Sequence, residues 1–345
     1  MRGLVFLGDR QIAMRTFPDP TPGPDEVIVG MRASGLCGSD FRPYRATRVS
    51  PEREEHLPIG GHEPCGVVME RGAHVTDAQA RIGARVMVHH YHGCGQCKHC
   101  LVGYTQMCLR GGHKVYGFSD HGGNAEYMRV PASTLVPLPE ELDFDEGAAI
   151  ACGTGTAYMA LRRLDVSGRD TLAIFGVGPV GLSATILGAA MGARVIAVDI
   201  SPERLALARH HGADVALDAR ETDPVAAIRE LTHGEGAETT LDCTGNPEAR
   251  VNAVRAARIW GRVCFVGEGN TTTFDISPDI IHKQLTIHGS WTFSTHGLAE
   301  CARFIADRQA PLQRIITHRF ALDQADEAFR TFEGGATGKC VFAVA

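Results

Sequence analysis

Four cysteines, Cys94, Cys97, Cys100 and Cys108, stand close enough along the chain for successive loop turns to aim their sulfurs at one point. Four thiolates around one ion make a closed tetrahedral shell, so the expected occupant is a zinc ion with a structural task. An iron–sulfur cluster uses the same four-cysteine set and is the competing metal reading. His99, inside the loop, reads better as an exposed loop histidine than as a substitute for one sulfur. Three shorter groups also carry reactive side chains: Cys37-Gly38-Ser39-Asp40, Gly61-His62-Glu63 and Ala151-Cys152-Gly153. Taken singly, each of these cysteines reads as a small buried apolar residue. Taken together, the groups offer what a catalytic zinc requires, a few ligands from distant loops with one position left open.

A second kind of chemistry is written in residues 172–181, which read as a strand, a glycine turn and a helix start. Gly176 permits the tight turn, Gly178 lets the backbone approach a pyrophosphate, and Gly181 lets helix and strand pack closely. The helix N-terminus formed by Val177, Pro179 and Val180 with these glycines then faces the negative charge. Such a glycine pattern alone is weak. It gains weight from Asp199 at the end of the next strand, where a carboxylate can accept from ribose hydroxyls. Asp199 would repel a 2′-phosphate, and Ile200 and Ser201 offer no cation, so NAD is preferred over NADP; Arg204 lies near enough in sequence to flank the adenosine and allow some NADP.

The elements that must position these groups fall into two textures. Short apolar runs at 27–29, 66–69 and 85–89, punctuated by Gly and Pro up to about Pro137, predict a β-rich region. From about Leu142 helix and strand alternate: a helix to Leu164, a strand near Leu172, a helix from Gly181, a strand over 195–199, a helix over 202–211, and strands near Val215, Thr240 and Val263. That alternation predicts a parallel sheet covered by helices. It ends near Trp291, and the remainder, with a helix over 298–307 and a closing strand over 340–344, is expected to rejoin the first region. The 345 residues exceed what one core usually fills, so two domains are expected.

Composition excludes several classes of partner. A net charge of −6 without a basic stripe, and 6% aromatic residues, argue against nucleic acid. Residues 171–193 carry no formal charge, but glycines and Pro179 break the run into a buried strand and a buried helix, so no membrane partner is expected. The apolar stretch 1–7 stops at Asp9 and Arg10, too short for a secretory signal, and predicts a cytoplasmic, reducing setting in which clustered cysteines serve metal or catalysis.

The whole chain resembles the zinc-containing medium-chain alcohol/polyol dehydrogenases, the group that includes threonine, sorbitol and alcohol dehydrogenases. The likeness rests on the Cys-Gly-Ser-Asp and Gly-His-Glu groups, the four-cysteine lobe, the glycine turn with Asp199, and the run from Asp242 through Cys243 and Thr244 to Gly245. It implies an α/β fold: a partly open, GroES-like β-barrel catalytic domain over 1–152 and 292–345, and a doubly wound, parallel-sheet Rossmann domain over 153–291. It further implies that Cys37, His62 and Cys152 bind a catalytic zinc, that Glu63 is a nearby or exchanging ligand, and that Asp40 orients His62. Two Zn2+ per chain and NAD follow, with an alcohol or carbonyl substrate and a homodimer or homotetramer formed through the cofactor domain's sheet edge. Ser39 is implied as the group that accepts the substrate proton. The resemblance also implies cofactor contacts from Cys243, Thr244, Val266 and Gly267, with Lys339 a weaker candidate for the pyrophosphate.

Two departures stand out. Many relatives carry a histidine three residues beyond Ser39 to complete a proton relay; here Arg42 stands there and stays protonated. Cys152 resembles the form of simple alcohol dehydrogenases, where polyol enzymes often have an acidic residue. His90, Tyr91 and Trp291 are expected pocket walls, with ordinary packing as the alternative. The competing functions are a zinc-free reductase of activated double bonds and a non-catalytic nucleotide-binding protein.

Overall fold

The computed structural model describes residues 1–344. Two sheets organise it. The first has seven strands in the order Ile316–Phe320, Lys339–Ala343, Glu26–Gly35, Pro64–Arg71, Arg85–Val88 and Leu135–Pro137, with Tyr127–Pro131 also paired to Glu26–Gly35. The central strand Glu26–Gly35 is buried at Val27, Ile28, Val29, Met31 and Ala33, which explains its near-continuous apolar sequence. The chain's last strand, Lys339–Ala343, pairs antiparallel with Glu26–Gly35, returning the C-terminal segment to the sheet of the N-terminal one.

The second sheet has six parallel strands in the order Val215–Asp218, Arg194–Asp199, Thr171–Phe175, Ala237–Asp242, Ala257–Phe265 and Thr286–Gly289. The first of these in the chain lies inside the sheet, so the winding reverses between Thr171–Phe175 and Ala237–Asp242. In such doubly wound sheets the crevice at the carboxyl ends beside that reversal is where ligands bind.

The charge-free run splits as its composition predicts. Thr171–Phe175 is the central strand, and the helix Pro179–Ala190 is buried continuously from Gly181 to Gly188. A helix apolar on every face must be covered all round, and here the sheet and neighbouring helices cover it. Among the described residues no helix is long and apolar enough to cross a membrane.

Three details differ from the sequence reading. Residues 2–16 form a hairpin, Arg2–Gly8 with Gln11–Thr16, although the β texture was legible only from Val27. The helix expected to run to Leu164 is Phe144–Ala149, a π turn Ile150–Thr154, then Gly155–Arg163. Asp143 caps its start, accepting from the Glu146 N–H at 2.8 Å while Glu146 accepts from the Asp143 N–H at 2.9 Å. The π turn carries Cys152, and such wide turns inside helices recur at functional sites. Finally, a short helix Ala325–Glu333 packs Phe329 and Phe332 into the core of the first sheet.

Candidate functional site

Cys37, His62, Glu63 and Cys152 come together from three segments, with ligand atoms all within 4.8 Å of one another. Cys37 follows the end of strand Glu26–Gly35 and precedes a single 3-10 turn, Gly38–Asp40. His62 and Glu63 precede strand Pro64–Arg71, and Cys152 sits on the π turn. Asp40, 1% exposed, binds two of them at once. Its Oδ2 accepts from the Cys37 backbone N–H at 2.8 Å and its Oδ1 faces His62 Nδ1 at 3.0 Å. The carboxylate thereby fixes the imidazole with its proton on Nδ1 and leaves Nε2 as the donor atom. Ser39 Oγ lies 3.1 Å from that Nε2, on an exposed turn.

The electrostatics of this cluster are those of a cation site. A hydrogen bond from Cys152 outweighs burial and holds the Cys37 thiol well below its usual value, while the same contact pushes Cys152 well above. A cation between the two sulfurs would favour the thiolate form of both. Burial opposes a charged His62, yet Asp40 and Cys37 raise it well above the ordinary imidazole value. Burial pushes the Glu63 carboxyl up to about 8 against the pull of Lys339. Glu63 is fully buried and its Oε1 meets no hydrogen-bond donor among the described residues. Lys339 Nζ pairs with Glu63 Oε2 and donates to the Leu36 carbonyl at 2.8 Å. The structure therefore places the Lys339 ammonium against the cluster, paired with Glu63. The residue set fits zinc: two sulfurs, one imidazole and a spare carboxylate.

Replacing Asp40 with alanine removes a carboxylate that braces two donors, and metal affinity at this cluster is expected to fall about 10- to 100-fold. Zinc competition with a fluorescent chelator measures it; unchanged affinity would show that Asp40 braces nothing.

The second cluster is built of sulfur alone. Cys94, Cys97, Cys100 and Cys108 also place their sulfurs within 4.8 Å, with Cys97 Sγ 3.5 Å and Cys94 Sγ 3.9 Å from Cys100 Sγ. A tetrahedron with zinc–sulfur bonds of about 2.3 Å has edges of about 3.8 Å, so one ion fits. Backbone N–H groups near Cys100 and Leu109 draw the Cys97 thiol down to about 6, preparing it as a thiolate. His99 is outside the cluster.

The glycine turn lies at the carboxyl end of Thr171–Phe175. Gly176 has φ +85°, and a Cβ there would stand 2.4 Å from Thr244 Cγ2. A Cβ on Gly181 would stand 1.9 Å from the Gly176 carbonyl oxygen, a backbone atom that cannot step aside. Gly178 differs: a Cβ there would meet only the Arg204 guanidinium, at 3.9 Å, so the space in front of it is open to a ligand. Asp199 Oδ2 accepts from the Val177 N–H at 2.7 Å, and Oδ1 from Ile200 and Ser201, so Asp199 also holds the turn's shape. Arg204 Nε is buried with no partner among the described residues. Thr244 is held by Asp242, which accepts from its N–H at 2.9 Å, and Val266 and Gly267 follow the neighbouring strand's end. This open, amide-lined cradle fits a dinucleotide. Val180 Cγ2 comes within 3.8 Å of a Cβ built on Gly153, the residue after Cys152, so the first turn of the cradle's helix packs beside the turn that carries Cys152.

His90, Tyr91 and Trp291 form a continuous series of rings leading from His62: the His90 ring is 5.3 Å from His62, and the Tyr91 ring is 4.3 Å from His90 and 5.8 Å from Trp291. Sequence reasoning missed Phe118, whose ring is 5.0 Å from that of His62; a lone Phe in a loop carries no signal of its own. Arg42 is exposed on the short helix Phe41–Arg45.

With this geometry defined, comparison with known proteins is unambiguous. The profile described as alcohol dehydrogenase GroES-like domain matches residues 23–140, and that described as zinc-binding dehydrogenase matches residues 179–307. An uncharacterized zinc-type alcohol dehydrogenase-like protein of Escherichia coli K12 is 39% identical over 99% of this chain and 98% of its own length. An L-threonine 3-dehydrogenase of Symbiobacterium thermophilum is 32% identical, over 95% of this chain and 93% of its own. The solved alcohol dehydrogenase of Thermus sp. ATN1 superposes with a TM-score of 0.90 at 28% identity, covering all of both chains.

The chain belongs to the zinc-containing alcohol dehydrogenase family. It is an oxidoreductase of alcohols that uses zinc and a nicotinamide dinucleotide; the zinc-free reductase and the non-catalytic protein are not favoured.

Proposed function

We propose that the chain interconverts an alcohol and its carbonyl compound with NAD, at a catalytic zinc held by Cys37, His62 and Cys152, with Glu63 in reserve. A second, structural zinc sits among Cys94, Cys97, Cys100 and Cys108, making two per chain. The observation that carries this reading is the convergence of four ligand atoms within 4.8 Å, beside the first turn of the helix that follows the glycine turn. When bound, zinc supplies Lewis acidity to the substrate oxygen and NAD supplies the hydride acceptor. Asp40 keeps the His62 proton on Nδ1, and His90, Tyr91 and Trp291 exclude water from one side of the substrate. Ser39 Oγ takes the hydroxyl proton and passes its own to solvent. Its turn is exposed, so the proton reaches water without the histidine that relatives carry at the place of Arg42.

Residues 1–152 with 292–345 make up the catalytic unit and 153–291 the cofactor unit. Support comes from the return of Lys339–Ala343 to the sheet of Glu26–Gly35. A cytoplasmic setting is supported by the cysteines, of which none is in a disulfide among the described residues. A homodimer or homotetramer is supported by Ile259, Trp260, Ile281 and Ile287, large and exposed around the edge strand Thr286–Gly289. Sedimentation equilibrium checks it, a monomer at micromolar concentration being the contrary result.

The experiment for the main reading combines zinc analysis with a screen of primary alcohols, secondary alcohols and sugar polyols against NAD and NADP. Two zinc ions per chain and alcohol-dependent NADH formation support it; one zinc ion without turnover contradicts it. Cofactor choice has its own test. Asp199→Ala removes a ribose acceptor and a charge that repels a 2′-phosphate, while the Arg204 guanidinium stays beside Gly178. The ratio of kcat/KM for NAD over NADP is expected to fall by roughly 100-fold or more. An unchanged ratio would remove Asp199 from cofactor selection.

A further inference from the structure

A second cleft, of about 380 Å³, opens where the C-terminal ends of helices Pro179–Ala190, Pro202–His210 and Thr295–Arg308 meet. That volume suits a small molecule. Its charged lining is Arg209, Arg308 and Arg314 with His210 and His211, and no carboxylate lines it among the described residues. In a chain of net charge −6 this is a local reversal of sign. Arg209 spends one N–H on the Ala216 carbonyl at 3.0 Å, and all three arginines are exposed.

Cations at helix C-termini offset the helix dipole, which accounts for Arg209 and Arg308 taken alone. It does not account for His211. This residue is only 4% exposed, yet neither ring nitrogen has a hydrogen-bond partner among the described residues. Buried polar groups are nearly always paired. Burial, with His210 and Arg314 nearby, pushes the ring's pKa down to about 4, so it is neutral near pH 7 and offers one N–H donor. Ala189 and Pro311 add an apolar wall.

We propose that this cleft is a binding site for a phosphate-bearing small molecule, its phosphate held by Arg308, Arg314 and Arg209 with an N–H from His211, and its carbon skeleton against Ala189 and Pro311. Guanidinium groups pair with phosphate oxygens through two parallel N–H donors each, the strongest common form of oxyanion recognition. The site is separate from the cofactor cradle. The glycine turn is at the N-terminus of helix Pro179–Ala190 and the cleft is at its other end; twelve residues span about 18 Å.

Calorimetric titration of the zinc-loaded, NAD-saturated protein with inorganic phosphate and with phenyl phosphate tests this. Saturation with NAD keeps phosphate out of the pyrophosphate cradle. Both ligands are expected to bind, and the exposed double variant R308Q/R314Q to weaken them at least about tenfold while leaving alcohol turnover in phosphate-free buffer unchanged. Tighter binding of the ester identifies an organic phosphate as the occupant; equal binding identifies free phosphate. In the wild type the His211 ring nitrogen resonances shift on titration, a readout that does not depend on any variant folding. No binding by the wild type, affinity within about twofold in R308Q/R314Q, or a change of oligomeric mass in that variant with phosphate binding untouched would each overturn the proposal.

Discussion

Cys37→Ala is expected to abolish alcohol turnover, by about 1000-fold or more in kcat, while leaving NAD affinity within about threefold of the wild type. The reason is positional. Cys37 lies in the cluster with His62 and Cys152, whereas the dinucleotide cradle is built by Gly176, Gly178, Gly181 and Asp199 on another sheet. Removing one sulfur leaves one thiol, one imidazole and a Glu63 carboxylate already paired with Lys339, too weak a set to hold the ion against water. Zinc content should drop from two per chain to one, because the four-cysteine lobe is untouched. Stopped-flow turnover, NAD fluorescence titration and metal analysis read the three quantities. Joint loss of turnover and NAD binding would make Cys37 a structural residue instead.

Gly181→Ala is expected to act at the cofactor cradle. The added Cβ would lie 1.9 Å from the Gly176 carbonyl oxygen, so helix Pro179–Ala190 must move off strand Thr171–Phe175. Overpacking of this kind costs about 1–3 kcal/mol of stability. It also pulls the helix N-terminal amides away from the pyrophosphate; losing one or two charge-assisted hydrogen bonds of about 1.5–3 kcal/mol each weakens NAD binding roughly 10-fold or more. Gly178→Ala is the control, since its Cβ would meet only Arg204, at 3.9 Å. It should weaken NAD binding with little change in thermal midpoint. If both variants melt alike and both bind NAD normally, the turn is a glycine-rich loop with no cofactor role.

The cofactor sheet was legible in the sequence because its strands are short apolar runs and its turn needs glycine at set places. Thr171–Phe175, Arg194–Asp199 and the helix from Pro179 emerge where the alternation puts them. The four-cysteine lobe was equally open, its spacing being local. The other cluster was not. Cys37, His62 and Cys152 lie far apart in the chain, and ligand chemistry suggested them as a set that only resemblance to a family made definite before the structure brought their atoms together. What neither spacing nor resemblance conveyed is the set of contacts around them. Asp40 braces Cys37 as well as His62, Lys339 turns inward to Glu63, and the helix carrying Cys152 widens into a π turn. Each depends on which buried polar group finds a partner in three dimensions, and one-dimensional periodicity carries no record of that. The N-terminal hairpin escaped for a different reason: residues 1–7 were weighed as a leader segment, and the polar strand Gln11–Thr16 that pairs with them is only half-buried.

The convergence of Cys37, His62 and Cys152 on one metal ion is tested most directly by an anomalous difference map at the zinc absorption edge from crystals of the zinc-loaded protein. Two peaks per chain are expected, one about 2.3 Å from the sulfurs of Cys37 and Cys152 and about 2.1 Å from His62 Nε2, the other at the centre of the four-cysteine lobe. A single peak in that lobe, with the Cys37 and Cys152 sulfurs bare in a fully loaded protein, would contradict the catalytic metal and the chemistry built on it.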